Sequence, residues 1–491
     1  MPWRESIVPV AMTRVAVVAP VTSLRPALVR LADSGTVELD RVVPRSDLPV
    51  SEASRALQRL AAATAVEPRL AAQTPDLADL ERSGRADLLA GEEQLTEHQA
   101  NAVVRDEVAA WLGWTPTAAL PQLNSRLGEV GAAAVTLLRP RGVDPPTAAS
   151  AGPAHRAFAP LVDTYGTVPY ADIDPTIVAG LAYAVMFGAM FGDVGHGALI
   201  VLGALLIRSG RLARLAALRP HWLFVAVSGT FAMLFGFAYG EFFGPTGVVP
   251  TGLVTPLEEP VTMLAAGVAL GAILLGGAYA IGTVNRVREG GWALALYAPA
   301  GIAGSLLFIS AGLGLAGWYW HLGWLGLAAA ALALAGLTLA YTGLFVAAGG
   351  GGAGAVQAGV EAFDLVIRLG ANVVSFARLA AFGLTHAVLG FIVWDATTAL
   401  WGSGGAGALA AVGVFVIGNA LAFTLEALVA AVQALRLEYY ELFSRVFQVE
   451  GRPFRPWRVP LAADPVATGP APESPSPESP SPGSPRPEEH R

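Results

Sequence analysis

Residues 370–390 read Gly370-Ala-Asn-Val-Val-Ser-Phe-Ala-Arg378-Leu-Ala-Ala-Phe-Gly-Leu-Thr-His386-Ala-Val-Leu-Gly390. This apolar stretch predicts a helix long enough to cross a bilayer, with a cation near its middle. A charge at membrane depth costs about 2.5 kcal/mol or more, so Arg378 is expected to face protein or water. Its guanidinium cannot lose a proton to escape that cost. A permanent cation at this depth indicates an electrostatic element of an ion path.

The composition of the whole chain also indicates a membrane protein. Of the 491 residues, 54% are hydrophobic and 14% are charged, and the mean hydropathy is +0.53. The net charge of −7 comes without a basic block, so we predict no nucleic-acid partner. With 0 Cys, disulfides and thiolate metal sites are excluded. We predict no cofactor.

The chain divides into four predicted segments. Residues 1–176 are polar and form an N-terminal cytoplasmic domain, because the first 30 residues contain no signal-peptide core. Residues 177–447 form a mainly α, polytopic membrane domain. Residues 448–460 are a cytoplasmic exit segment. Residues 461–491 are rich in Pro, Ser and Glu and are expected to be disordered.

The N-terminal domain is predicted to be a small α+β lobe. Strands are expected at Thr13–Ala19 and Thr36–Val43, with a helix at Ser23–Asp33 that ends at Gly35, which gives a βαβ start. Residues 132–138 are a further strand candidate. Heptad-like patterns over 52–65 and 92–112 predict two helices of a short arm.

The apolar segments predict about eight membrane spans, near 178–194, 195–208, 221–243, 261–283, 292–316, 323–347, 359–400 and 406–443. The first two are short and share one apolar run, so seven spans are an alternative. Arginines cluster after the second, fourth and last spans and are missing from 244–260, 317–322 and 401–405. The positive-inside rule then places both termini in the cytoplasm, which requires an even number of spans. Each of the last two runs for ~40 residues, twice what a bilayer needs, so we expect them to be tilted or to extend beyond it.

Polar residues recur along these last two spans. The seventh carries Asp364, Ser375, Arg378 and Thr385 at near-heptad or i+3 intervals, with His386 beside them. The eighth carries Asn419, Glu426 and Gln433 seven residues apart, and then Arg436. Acids and a histidine interrupted by a fixed cation are typical of proton transfer through two offset half-channels, in which Arg378 blocks a direct leak. The alternative is that these groups only pair with one another to hold the helices together.

Several motifs resemble those of subunit a of V/A-type rotary ATPases, called subunit I in archaea and bacteria. The first-span signature is similar to Phe187-Gly-Ala-Met-Phe-Gly-Asp193-Val-Gly-His196-Gly, and the third-span signature to Leu234-Phe-Gly-Phe-Ala-Tyr-Gly-Glu241-Phe-Phe-Gly. The arginine helix of the family resembles Asn372-Val-Val-Ser-Phe-Ala-Arg378-Leu with His386 eight residues on. Its final helix resembles the stretch from Glu426 through Leu435-Arg436-Leu437-Glu438.

The resemblance implies a stator subunit in a prokaryotic cell membrane, next to a rotating proteolipid ring. Arg378 would be the essential arginine that faces the ring carboxylate. Asp364, Ser375, His386, Glu426, Gln433 and Arg436 would line or tune the half-channels. The implied partners are the ring, the peripheral stalks, the central-stalk and collar subunits, and lipid. The subunit itself would not be an enzyme, and the chain has neither a glycine-rich phosphate loop nor any Lys to build a nucleotide site.

The chain departs from the family pattern in three places. Asp364 stands where the family usually has Glu, and Gln433 stands where many members have His. Residues 46–105 are too few for full coiled-coil arms plus a distal lobe, which leaves normal stalk attachment in question. Two other functions remain as alternatives: an ion-coupled secondary transporter, although no internal repeat is evident, and a non-conducting assembly scaffold of the same complex.

Overall fold

The structure is a computed structural model that describes residues 9–41, 50–60, 66–140, 142–148, 150, 152–211, 213–250, 253–447 and 451–462. It divides into two compact units. One, the sheet unit, combines Thr13–Leu138 with the segment that begins at Pro456, and the other, the helical unit, contains Arg139–Arg455. The predicted disordered tail lies outside the described residues, apart from Leu461 and Ala462.

The sheet unit is built on five strands, whose bounds are β1 Met12–Pro20, β2 Glu38–Leu39, β3 Val103–Arg105, β4 Val108–Pro116 and β5 Ala133–Thr136. Their order is β2-β4-β1-β5, and β3 pairs with β4. The pairs β1–β5, β2–β4 and β3–β4 are antiparallel. Alternate residues of β1, among them Val15 and Val17, are buried, which is the pattern of a strand with one face on a core.

Helices cover the sheet and fill the rest of this unit, at Leu24–Ser34, Glu52–Arg59, Leu77–Arg82, Ala86–Ala100 and Leu120–Gly128. The first of them ends at Gly35, whose left-handed conformation caps the helix as predicted. The elements of the predicted βαβ start are present, and β4 lies between its two strands. Strand β2 is shorter than expected, and Val42 and Val43 of that prediction lie outside the described residues.

The predicted helix over 92–112 is wrong in its second half. The helix ends at Ala100, and Val103–Pro116 form the β3–β4 hairpin, with Asp106 and Glu107 in the turn. Three β-branched residues, Val103, Val104 and Val108, favour the extended backbone here. Trp111 and Trp114 of β4 are buried, and this burial outweighs the helix that the heptad-like spacing would favour.

The C-terminal segment of the chain completes the sheet unit. Trp457 N–H donates to Val37 O at 2.9 Å, and Leu70 N–H donates to Pro460 O at 3.0 Å. Trp457 and Val459 are buried in the core of this unit. The segment predicted as a cytoplasmic exit from the membrane therefore forms main-chain hydrogen bonds and apolar contacts with residues that are several hundred positions earlier in the sequence.

Within its described residues, the helical unit has six helices or helix pairs that are long and apolar enough to cross a membrane: Ala213–Tyr239, Pro260–Tyr297, Ile302–Tyr319, Gly323–Ala347, Gly351–Trp401 and Ala406–Val446. Two shorter apolar helices, Thr176–Met190 and Val194–Ser209, precede them. Pro153–Asp163 is a further helix. The mainly helical, polytopic membrane fold is confirmed, whereas the number of eight spans stays a prediction.

Two of the predicted spans differ from the observed helices. The span expected at 292–316 is divided, because the preceding helix continues to Tyr297 with a kink at Gly291 and the next begins at Ile302. The seventh span, predicted at 359–400, is longer, with 51 residues, and it consists of two helices, Gly351–Ser375 and Ala377–Trp401, which meet at Phe376. We call the second of these the arginine helix and Ala406–Leu437 the final helix.

Phe376 is held in place by a glycine on the neighbouring helix. It is fully buried, and a Cβ atom added to Gly271 would lie 2.1 Å from its ring. The close approach of these two helices therefore requires glycine at this position, and it fixes the helix junction two residues before Arg378.

We expect Gly271→Ala to destabilise the protein, because the methyl group would overpack this contact at a cost of about 1–3 kcal/mol. Gly277→Ala on the same helix is the matched control, since a Cβ atom there would meet no atom within 4 Å. Thermal unfolding of the purified full-length chain should show a lower midpoint for the first variant only. Equal midpoints for both variants would contradict the role of Gly271.

Candidate functional site

Arg378 lies in the first turn of the arginine helix and belongs to a three-residue cluster. Its Nη2 donates to Glu441 Oε1 at 2.9 Å, with 25% of the Arg378 side chain and 7% of the Glu441 side chain exposed. Ser375 lies between them, because its hydroxyl accepts from Arg378 and donates to the same carboxylate oxygen. We call these three residues the arginine cluster. In this cluster the cation is paired with a carboxylate and is also partly accessible.

Glu441 is a site residue that sequence reasoning missed. It lies in a π-helical turn, Glu438–Phe443, that continues the final helix. A π-turn holds more residues than an α-turn, so it rotates the side-chain directions of all later residues about the helix axis. Counting by 3.6 residues from Glu426 therefore misplaces Glu441. The signal that the sequence offered was the acidic pair Glu438 and Glu441 at the end of an apolar segment. In the structure both residues are buried.

A second polar group surrounds His386, which lies about two turns beyond Arg378 on the arginine helix. His386 is buried, and its Nδ1 is hydrogen-bonded to Glu426 Oε2 on the final helix. Its Nε2 lies 3.8 Å from Glu241 Oε2. The ring centroids of His386 and His196 are 5.6 Å apart. The group therefore joins residues from four segments of the sequence.

Asp193 fixes the geometry on the far side of this group. It is the N-cap of the helix Val194–Ser209, and its Oδ1 accepts from the His196 main-chain N–H at 2.8 Å. Its Oδ2 accepts from Gly244 N–H at 2.9 Å. These two bonds tie the helix start to the loop that carries Glu241. We call Asp193, His196, Glu241, His386 and Glu426 the histidine cluster.

The structure therefore brings together eight of the polar residues discussed so far, in two clusters, and leaves three predicted site residues outside them. Asp364 is half-exposed and forms an ion pair with Arg368 of its own helix at 2.6 Å. Gln433 has a buried Oε1 atom for which the described residues supply no hydrogen-bond partner. Arg436 is exposed. A relay role for these three residues stays a prediction.

A separate buried acid lies just before the first apolar helix. Asp172 has no exposed surface, and Glu289, Arg286 and Arg288 are its charged neighbours. Burial, and then the nearby Glu289 carboxyl, raise the pKa of Asp172 to about 7. The nearby arginines oppose this shift.

We expect the stability of the protein to fall as pH rises from about 4 to about 7, because the native state keeps the Asp172 proton over a range in which the unfolded chain has lost it. Asp172→Asn should remove this part of the pH dependence, since the amide does not titrate. Unfolding midpoints of both full-length chains across that range provide the measurement. Parallel pH profiles would show that Asp172 does not carry the effect.

The fold and the site together define a polytopic helical membrane protein with acid–base groups in its interior. The groups include one permanent cation, one imidazole paired with a carboxylate, and a second buried carboxylate, all on elements that contact one another. Buried ionisable residues in membrane helices mark ion or proton pathways.

Comparison with known proteins gives matches to one family. A family model for the V-type ATPase 116 kDa subunit family matches residues 96–249. The chain is 28% identical over 312 residues to the A-type ATP synthase subunit I of Pyrococcus horikoshii, a match that covers 61% of this chain and 45% of that protein. It is 29% identical over 372 residues to the subunit I of Halobacterium salinarum, with 61% and 50% covered. It is 35% identical over 173 residues to the V-type ATP synthase subunit I 2 of Treponema pallidum, with 33% and 37% covered.

These matches support the V/A-type ATPase subunit a/I family for this chain. It spans about half the length of the curated relatives it matches, or less. The family-model match includes Asp193, His196 and Glu241 of the histidine cluster.

Proposed function

We propose that this chain is the stator subunit of a V/A-type rotary ATPase membrane sector, and that it supplies two proton half-channels beside a proteolipid ring. The observation that carries the proposal is the partly exposed Arg378 guanidinium. It lies four residues after the exposed apolar residue Val374, 68% of whose surface is accessible. A cation on such a surface is stabilised by a carboxylate from a neighbouring subunit.

In this mechanism the two clusters have different tasks. The arginine cluster faces the ring, and the fixed charge of Arg378 favours loss of the proton from an approaching ring carboxylate. The histidine cluster passes protons between that position and one side of the membrane, because His386 and Glu426 share a hydrogen bond along which a proton can move. Glu441 holds the guanidinium in place when no ring carboxylate is opposite it.

The experiment that tests the function is reconstitution of the purified complex in liposomes, with a fluorescent pH indicator in the lumen. We expect ATP-driven acidification by the complex and no ion transport by this chain alone. Transport by the isolated chain would instead identify a secondary transporter. ATP hydrolysis by an assembled complex without any acidification would identify a non-conducting scaffold.

We also propose that the sheet unit anchors the peripheral stalks in a shortened form. Among the described residues of this unit, the longest helix is Ala86–Ala100, with 15 residues. At 1.5 Å per residue it reaches about 22 Å. Such short helices favour partner stalks that approach closely. Co-purification of stalk subunits with a tagged full-length chain tests this, and their loss under conditions that keep the ring bound would contradict it.

A further inference from the structure

His196 is a buried imidazole without a hydrogen-bond partner on either ring nitrogen. Its exposed fraction is 2%, and no described residue satisfies Nδ1 or Nε2. Burying a polar atom without a partner costs about 1–3 kcal/mol. The hydrogen bond from the His196 main-chain N–H to Asp193 fixes the backbone of His196, so the ring is kept next to Asp193. Both nitrogens are available to a ligand.

Two other donor side chains point to the same place. One atom from each of Asp193, His196 and His386 lies within 4.8 Å of the others, and all three residues are buried. His196 Nδ1 lies 3.7 Å from Asp193 Oδ1. Since Nδ1 of His386 is occupied by Glu426, its Nε2 is the nitrogen that can face a shared ligand. Glu241 Oε2 lies 3.8 Å from that Nε2 and also has no hydrogen-bond partner among the described residues.

We propose that Asp193, His196 and His386, with Glu241 as the fourth donor, bind a divalent transition-metal ion of the Zn²⁺ class. Two imidazoles and two carboxylates suit Zn²⁺ or Co²⁺, whereas Mg²⁺ and Ca²⁺ prefer oxygen ligands alone. Asp193 Oδ1 has a second lone pair besides the one that caps the helix. Tetrahedral bonds of about 2.0–2.1 Å place ligand atoms about 3.3 Å apart, so the cluster must contract slightly.

The surroundings favour this contraction. Rotation of the His196 ring breaks no hydrogen bond to a described residue. Glu426 accepts a hydrogen bond from His386 Nδ1. In metal sites, a carboxylate in this position orients the metal-bound histidine and increases its basicity. The ion would neutralise part of the negative charge of Asp193, Glu241 and Glu426. Metal binding does not depend on the proposed function, but in that function the ion would stop the relay by occupying His386.

Co²⁺ added to the metal-free, full-length chain in detergent is the direct test, because its visible absorption reports coordination geometry. With 0 Cys in the chain, thiolate bands cannot arise. We expect one tightly bound ion with an intense tetrahedral spectrum, and displacement by Zn²⁺. His196→Gln should weaken binding at least tenfold. His321→Asn is the matched control, because His321 is exposed and Asn tolerates its positive φ of 55°.

X-ray absorption of the Zn²⁺-loaded chain provides a second measurement that does not depend on how a variant folds. Outer-shell scattering from two imidazoles supports the site. Coordination by oxygen atoms only would overturn it, and so would Co²⁺ binding that is equal in the wild type and in a folded His196→Gln variant. Asp193→Asn keeps the helix cap but removes the charge, and it should also weaken binding.

Discussion

Replacement of Arg378 by Ala is expected to abolish ATP-driven proton transport by the assembled complex. The substitution removes the fixed cation that we propose to face the ring, and it also leaves the Glu441 carboxylate without its charged partner. A buried charge that loses its partner costs about 3–5 kcal/mol, so the variant complex must first be shown to assemble. Acidification of liposomes at matched ATPase content is the measurement. Normal acidification by the Arg378→Ala complex would refute this role.

The replacement by Lys should fail as well, because of the geometry of the arginine cluster. A single guanidinium nitrogen, Nη2, donates to both Ser375 and Glu441. The guanidinium is always charged, whereas the ammonium group of Lys is a single point charge that can lose its proton on burial. Arg368→Ala on the preceding helix is the matched control, since Arg368 is exposed and pairs only within its own helix turn. We expect that variant to transport protons at close to the normal rate.

Glu441 provides an independent check on the same interaction. Glu441→Gln keeps the size and the hydrogen bonds of the side chain but removes its charge. A double-mutant cycle with Arg378→Lys should show that the two substitutions are not additive, because the residues are in direct contact. Additive losses in transport would mean that the two residues act separately.

The long apolar helices and the position of Arg378 could be predicted because they depend on local patterns. A run of apolar residues sets the length of a helix, and a charge within it is visible from the sequence alone. The family motifs around Asp193, Glu241 and Arg378 were found for the same reason, and the family is confirmed. His386 and Glu426 can pair because the helices of the seventh and eighth predicted spans are neighbours in the structure.

The features that were missed depend on contacts between distant residues or on local departures from helix geometry. The junction at Phe376 follows from the approach of Gly271 on another helix, and Glu441 reaches Arg378 because of a π-turn. The place of Trp457 in the sheet unit depends on a main-chain bond to Val37, which no local pattern indicates. The ion pair between Asp364 and Arg368 was not considered in the sequence analysis, and a relay role for Asp364 stays a prediction.

The second large effect is expected for Glu426→Gln, which should slow proton transport by about a hundredfold while the complex remains assembled. The amide can still accept a hydrogen bond from His386, so the packing of the arginine helix against the final helix is preserved. The amide cannot take up a proton, so the proposed proton transfer between His386 and residue 426 is lost.

Asp364→Asn provides the comparison, because it also removes one titratable carboxylate from the last two spans. Asp364 is half-exposed and already paired with Arg368, so its loss should slow transport less than the loss of Glu426. Initial rates of acidification across a range of pH provide the measurement, with ATP hydrolysis by the detergent-uncoupled complex as the test of assembly. A relay role predicts that Glu426→Gln changes the pH profile as well as the rate. If both variants transport protons like the wild type, these carboxylates serve only to hold the helices together, because packing tolerates an amide and proton transfer does not.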